Sequence, residues 1–178
     1  MTDLKHDAAT KLLWVDLEMT GLDPVTDRIL EVAAIVTDFE FNELGRFECA
    51  IHQDISVLAT MNEWARETHN ASGLVGRVAT APSEQKVASD FSAFIKKHFN
   101  EPAVLSGNSI HQDRRFIRQW WPEVDSLLHY RMLDVSSWKI VMQGKYQRIF
   151  TKKETHRALD DIEESIAELN FYLRFVKP

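Results

Sequence analysis

The stretch Lys11 to Glu18, KLLWVDLE, constrains this chain more than any other. It opens apolar and then alternates, with Leu13, Val15 and Leu17 on one parity and Trp14, Asp16 and Glu18 on the other. That pattern is a strand largely buried on both faces, and it ends on two acids two residues apart. Both side chains leave the same face, so their carboxylates can converge. Side by side on a buried strand, two such groups repel and lose hydration, which is costly unless a cation or hydrogen-bond donors offset it. A divalent metal does that directly. The alternative is a solvent-facing strand end with two ordinary acids.

Further along, Thr20-Gly21-Leu22-Asp23-Pro24 is a turn signal, and Arg28 to Asp38, rich in β-branched residues, is the next strand. Asn42-Glu43-Leu44-Gly45 reads as a hairpin turn into a third strand, Arg46 to Ile51. Three early strands make part of the sheet antiparallel. Asn62 to His69 is a short helix and Ser83 to Phe99 a longer one, with Val87, Phe91, Phe94, Ile95 and Phe99 on one face and Ser83 as N-cap. Ala103 to Leu105 is a fourth strand, Gln112 to Trp121 a helix stopped by Pro122, and Met132 to Val135 a short strand. The last helix, Arg157 to Val176, carries the stripe Leu159, Ile162, Ile166, Leu169 and Leu173. No repeat or linker interrupts this order, so the expectation is one α/β domain over residues 1–178, with 1–10 a flexible tail.

Charge sharpens the question of what the acids do. Lys plus Arg (21) against Asp plus Glu (27) gives 21 − 27 = −6, the opposite of the basic footprint that carries non-specific binding to long nucleic acid. If the partner is a polyanion, something must neutralise part of this protein. The hydrophobic share of 44% supplies a sizeable core and excludes disorder as the dominant state. Cys49 has no cysteine to pair with in the chain, and the first eleven residues lack a signal peptide's hydrophobic region. With no bilayer-spanning apolar run, the expected setting is the cytoplasm, away from membranes.

Two further acidic positions accompany the strand pair. Asp113 opens the helix after Gly107-Asn108-Ser109, and His156-Arg157-Ala158-Leu159-Asp160-Asp161 stands where the last helix begins. Acids in first helical turns also complement the helix dipole, which is the plain alternative for each. Periodicity does not choose between Asp160 and Asp161.

Taken in order, Asp16-x-Glu18, Asp113 and His156-x-x-x-x-Asp161 resemble the three motifs of the DEDD 3′-to-5′ exonucleases, in the subgroup whose third motif carries His. The likeness is closer still to the oligoribonuclease family. It rests on WVDLEMTGLDP from Trp14, GNSIHQDRRF from Gly107, LDVS from Leu133 and HRALDDI from His156, and runs from Leu12 to Leu173. The resemblance implies a ribonuclease H-like mixed sheet flanked by helices, gathering Asp16, Glu18, Asp113 and Asp161 around two divalent ions, Mg²⁺ or Mn²⁺. Hard oxygen ligands suit those ions. Four carboxylates and two such ions approach neutrality, which would answer the charge question. His156 is then the candidate general base. The remaining histidines read as surface or hydrogen-bonded groups; His111, two residues from Asp113, stands where the family commonly has a small residue.

The same resemblance implies very short single-stranded RNA, dinucleotides above all, as substrate. Leu22 maps to a wedge against a base and Trp64 to a base-stacking aromatic, with core packing of an amphipathic helix as the alternative for the tryptophan. Ser109, Arg131 and Ser136 match residues that hold the 5′ phosphate. Tyr130 matches a tyrosine that, with Arg131, reaches the partner's active site in a homodimer. Trp120, Trp121 and Trp138 could serve that interface, but core burial is the simpler reading of each. Between Trp138 and Lys153 the chain lacks the proline-containing stretch of many relatives. Two other readings are a proofreading or tRNA-trimming exonuclease of the same fold and a nucleotide-binding module without turnover.

Overall fold

The computed structural model describes residues 9–151 and 157–176. His156 and most of the expected N-terminal tail lie outside the described residues. Five strands, β1 (Leu12–Met19), β2 (Ile29–Thr37), β3 (Glu43–Ala50), β4 (Ala103–Gly107) and β5 (Leu128–Asp134), form one sheet in the order β3-β2-β1-β4-β5. β1 runs antiparallel to β2 and parallel to β4, so the expected mixed sheet is present with the acidic strand at its centre.

The helices are α1 (Ile55–Leu58), α2 (Glu63–Ala71), α3 (Leu74–Val78), α4 (Glu84–His98), α5 (His111–Trp120), α6 (Pro122–Asp125), α7 (Val135–Tyr146) and α8 (Ala158–Leu173). The two parities of β1 separate two cores. Leu13, Val15 and Leu17 pack with Val87, Phe91 and Ile95 of α4 and with Phe116 and Ile117 of α5. Leu12 and Trp14 pack on the other face with Val135 and Met142 of α7 and Ile162, Leu169 and Tyr172 of α8. Each large apolar side chain removed from water in this way contributes roughly 1.5–3 kcal/mol. Asp16 and Glu18 continue the Leu12–Trp14 row and so leave the sheet on the α8 side.

Three boundaries differ from expectation. The β2–β3 turn comes earlier than Asn42–Gly45, because the Asp38 carboxylate accepts from the backbone N–H groups of Glu40 and Asn42 and from Asn42 Nδ2, closing the turn so that β3 starts at Glu43. Strand β5 starts at Leu128, not Met132, and Val135 opens α7, where the Asp134 side chain accepts from Ser136 N at 2.9 Å. α7 itself has no counterpart in the sequence reading. Its buried Val135 and Met142 are interrupted by exposed Ile140 and Val141, which erases the stripe. The expected N-cap Ser83 accepts from Lys86 N, and Asn62, read as the first helical residue, instead caps α2 by accepting from Ala65 N.

Candidate active site

Asp16, Glu18 and Asp161 form one group, each offering an oxygen within 4.8 Å of the others. β1 supplies the first two by strand periodicity, and the first turn of α8 supplies the third. The choice between Asp160 and Asp161 left open by periodicity is made by the docking of α8 on the sheet, which brings Asp161 to the strand acids.

Asp113 stands immediately beside this group but outside that 4.8 Å set. It is buried in the first turn of α5, and its Oδ1 accepts from the Leu17 backbone N–H at 3.0 Å. Strand β4 ends at Gly107, leaving that part of β1 without a β4 carbonyl, and the Asp113 side chain takes its place. Gly107 itself permits the approach of the two strands, since a Cβ there would stand 2.9 Å from the Val15 carbonyl oxygen.

Burial and like charge govern the electrostatics of the group. Burial, and then the neighbouring Asp161, Glu31 and Asp113, push the Glu18 carboxyl up to about 8. Burial likewise raises Asp113, against the lowering effect of the Leu17 N–H. An all-oxygen donor set of this kind suits a divalent cation such as Mg²⁺ or Mn²⁺. The residues present therefore fit the metal that their spacing implied.

Around the group, the segment after β1 is tightly held. Asp27 accepts from Thr20 Oγ1 and from Asp23 N, each at 2.9 Å, while Trp120 Nε1 donates to the Asp27 carbonyl. A Cβ on Gly21 would meet the Asp27 carboxylate at 2.5 Å, so any other residue there would have to displace that carboxylate from its bonds to Thr20 and Asp23. This frame presents Leu22 at 70% exposure. Trp64, on α2, is 65% exposed, which overturns the core-packing alternative for it.

Ser109 and Ser136 are brought together, with hydroxyl oxygens 3.2 Å apart. Ser109 N donates to Asp134 Oδ1 and to Ser136 Oγ, and Ser109 holds a positive φ of 50° that these bonds support. Tyr130 and Arg131 lie on the edge strand β5, with the guanidinium 5.2 Å from the tyrosine ring centroid and Tyr130 68% exposed. A groove of about 1030 Å³ follows this edge, lined by Leu12, Phe39, Tyr130, Arg131 and Trp138 among others. Trp121 is in the core, as its simpler reading held.

Two neighbours of the acids escaped the sequence reading. Glu31 on β2 is the direct cross-strand partner of Glu18, and Arg77 on α3 binds its carboxylate. His69, a hydrogen-bonded histidine as expected, pairs its Nε2 with the Met19 carbonyl at 2.9 Å and sets its Nδ1 3.8 Å from Glu18 Oε2. No motif marks either position; a lone acid inside ILEVAAIV was the available signal. His111 Nδ1 lies 3.5 Å from Asp134 Oδ2.

Residues 13–169 match the model of the exonuclease family. In solved structures, the chain superposes on exonuclease I from Methylocaldum szegediense with a TM-score of 0.71 at 19% identity, covering 96% of this chain and 41% of that one. It superposes on E. coli exonuclease I in complex with a dT13 oligonucleotide with a TM-score of 0.66 at 18% identity, covering 92% and 41%. The chain thus spans about two fifths of those proteins and shares their fold. Sheet order and family match define an exonuclease of the ribonuclease H-like class. The oligoribonuclease of Francisella tularensis subsp. tularensis is 46% identical over 93% of this chain and 95% of its own, and that of Shewanella loihica 47% over 92% and 93%. The chain belongs to the oligoribonuclease family.

Proposed function

We propose that this protein is a 3′-to-5′ exoribonuclease that degrades very short RNA, dinucleotides above all, to mononucleotides. The observation that carries the reading is the convergence of Asp16, Glu18 and Asp161 within 4.8 Å, in a chain of this family. Asp16, Glu18, Asp113 and Asp161 would hold two Mg²⁺ or Mn²⁺ ions, which when bound neutralise phosphodiester charge and acidify the attacking water.

The chain's own groups do the rest. His156 accepts the proton of the attacking water on its imidazole nitrogen. Water adds to the last phosphodiester, the P–O3′ bond breaks, and a nucleoside 5′-monophosphate leaves as the new 3′ oxygen takes a proton. Leu22 separates the two bases and Trp64 stacks on one of them, their exposure leaving both faces available. Ser109, Ser136 and Arg131 close on the 5′ phosphate, with Arg131 able to grip it bidentately. Tyr130 and Arg131 reach across to the other active site of a homodimer, and the groove along β5 offers the surface for that contact. The whole of 1–178 acts as one exonuclease domain. No helix among the described residues is long and apolar enough to cross a membrane; the proposed place of work is the cytoplasm.

A length series of 5′-phosphorylated oligoribonucleotides, with and without chelator, tests this reading. Hydrolysis should require added metal and fall steeply from two nucleotides to five or more. Equal rates across lengths would remove the phosphate cap and favour the alternative of an exonuclease acting on longer strands.

A further inference from the structure

The site contains more negative charge than two divalent ions offset. Asp16, Glu18, Asp113 and Asp161 account for the four charges that two ions balance. Glu31 is a fifth carboxylate: it faces Glu18 in the β1–β2 register, leaves the same face of the sheet, and is 2% exposed. Its carboxylate is bound by the Arg77 guanidinium, which also lies 3.8 Å from Glu48 Oε1. The Arg77 side chain is 43% exposed, so it enters from the rim of the site, from the short helix α3.

We infer that Arg77 is a positioning residue that withdraws Glu31 from the metal-binding set, so that the ions meet four carboxylates and not five. The inference rests on the two-ion reading above. A buried carboxylate beside Glu18 is chemically as good a ligand as Glu18 itself, and only a fixed cation keeps it from turning to the ions. The pair therefore holds the site at the charge and ligand number that suit small octahedral ions. Without Arg77 the extra oxygen ligand would favour Ca²⁺, which takes six to eight oxygens.

The two single substitutions should act in opposite directions. Glu31→Gln leaves Arg77 partly uncompensated beside the site and should raise the Mn²⁺ dissociation constant about five-fold or more. Arg77→Gln frees the Glu31 charge and should lower that constant by a similar factor while making Ca²⁺ a stronger competitor. The double variant should return to within about two-fold of the wild type, as coupled partners do in a mutant cycle. Free Mn²⁺ followed by electron paramagnetic resonance reads all three independently of turnover. Arg77→Lys, which keeps the charge, should stay near the wild type; if Arg77→Gln does not fold, the rise in Glu31→Gln carries the sign alone.

Shifts in one common direction, or none in a wild type that binds Mn²⁺, would overturn the inference alone. A folded wild type that binds no Mn²⁺ would overturn both the inference and the two-ion reading.

Discussion

The Leu17 backbone N–H donates to Asp113 Oδ1 at 3.0 Å, joining the middle of the acidic strand to a helix 96 residues later in the chain. One carboxylate thus completes the hydrogen bonding of β1 where β4 has ended and stands ready beside the three-acid group. Structural and chemical roles can be separated by substitution. Asp113→Asn keeps an acceptor for Leu17 and should melt within a few degrees of the wild type, yet lose hydrolysis by two orders of magnitude or more. Asp113→Ala orphans a buried N–H, costing about 1–3 kcal/mol, so its melting temperature should fall as well. Thermal melts beside initial rates decide; an active Asp113→Asn would remove Asp113 from the metal ligands.

Burial and like charge raise Glu18 from 4.5 to about 8, so in this window the metal-free folded state binds more protons than the unfolded chain. Stability then falls as pH rises, because the slope follows the difference in bound protons between unfolded and native states. Chelated protein should therefore melt higher near pH 5 than near pH 8, with Asp113 acting in the same direction. Added Mn²⁺ should reverse the trend, since it binds the deprotonated carboxylates. Melting curves at both pH values, with and without metal, check this; a metal-free protein that gains stability toward pH 8 would contradict it.

Leu22 and Trp64 are exposed and contribute little to the core. Trp64→Ala should leave the melting temperature nearly unchanged but weaken dinucleotide binding about ten-fold or more, given about 1–3 kcal/mol per stacked base. Trp64→Phe should keep most of the affinity, and Leu22→Ala should raise KM without unfolding. A Trp64→Ala enzyme with unaltered KM would show that the exposed indole meets no base.

The central strand was legible because burial on both faces leaves a run of apolar residues that few other elements produce, and the acids at its end broke that run in a way folding alone does not favour. Asp161 was less legible: in the first turn of a helix, two adjacent acids share the same dipole advantage, and only the docking of Ile162 and Leu169 against the sheet decides which turns inward. The Glu31–Arg77 pair was hidden for a different reason. Its cation sits on a five-residue helix, too short to show a period, and its anion lies in a strand otherwise apolar. Likewise, the turn before β3 depended on one side chain, Asp38, folding back on its own backbone.

Helix α8 follows all five strands in chain order, yet it delivers the third carboxylate of the group. If Asp161 is a metal ligand as proposed above, a nascent chain would have all five strands before it had its full set of carboxylates. On that reading hydrolysis would wait until this late segment had emerged and docked, and the order of synthesis would act as a safety catch.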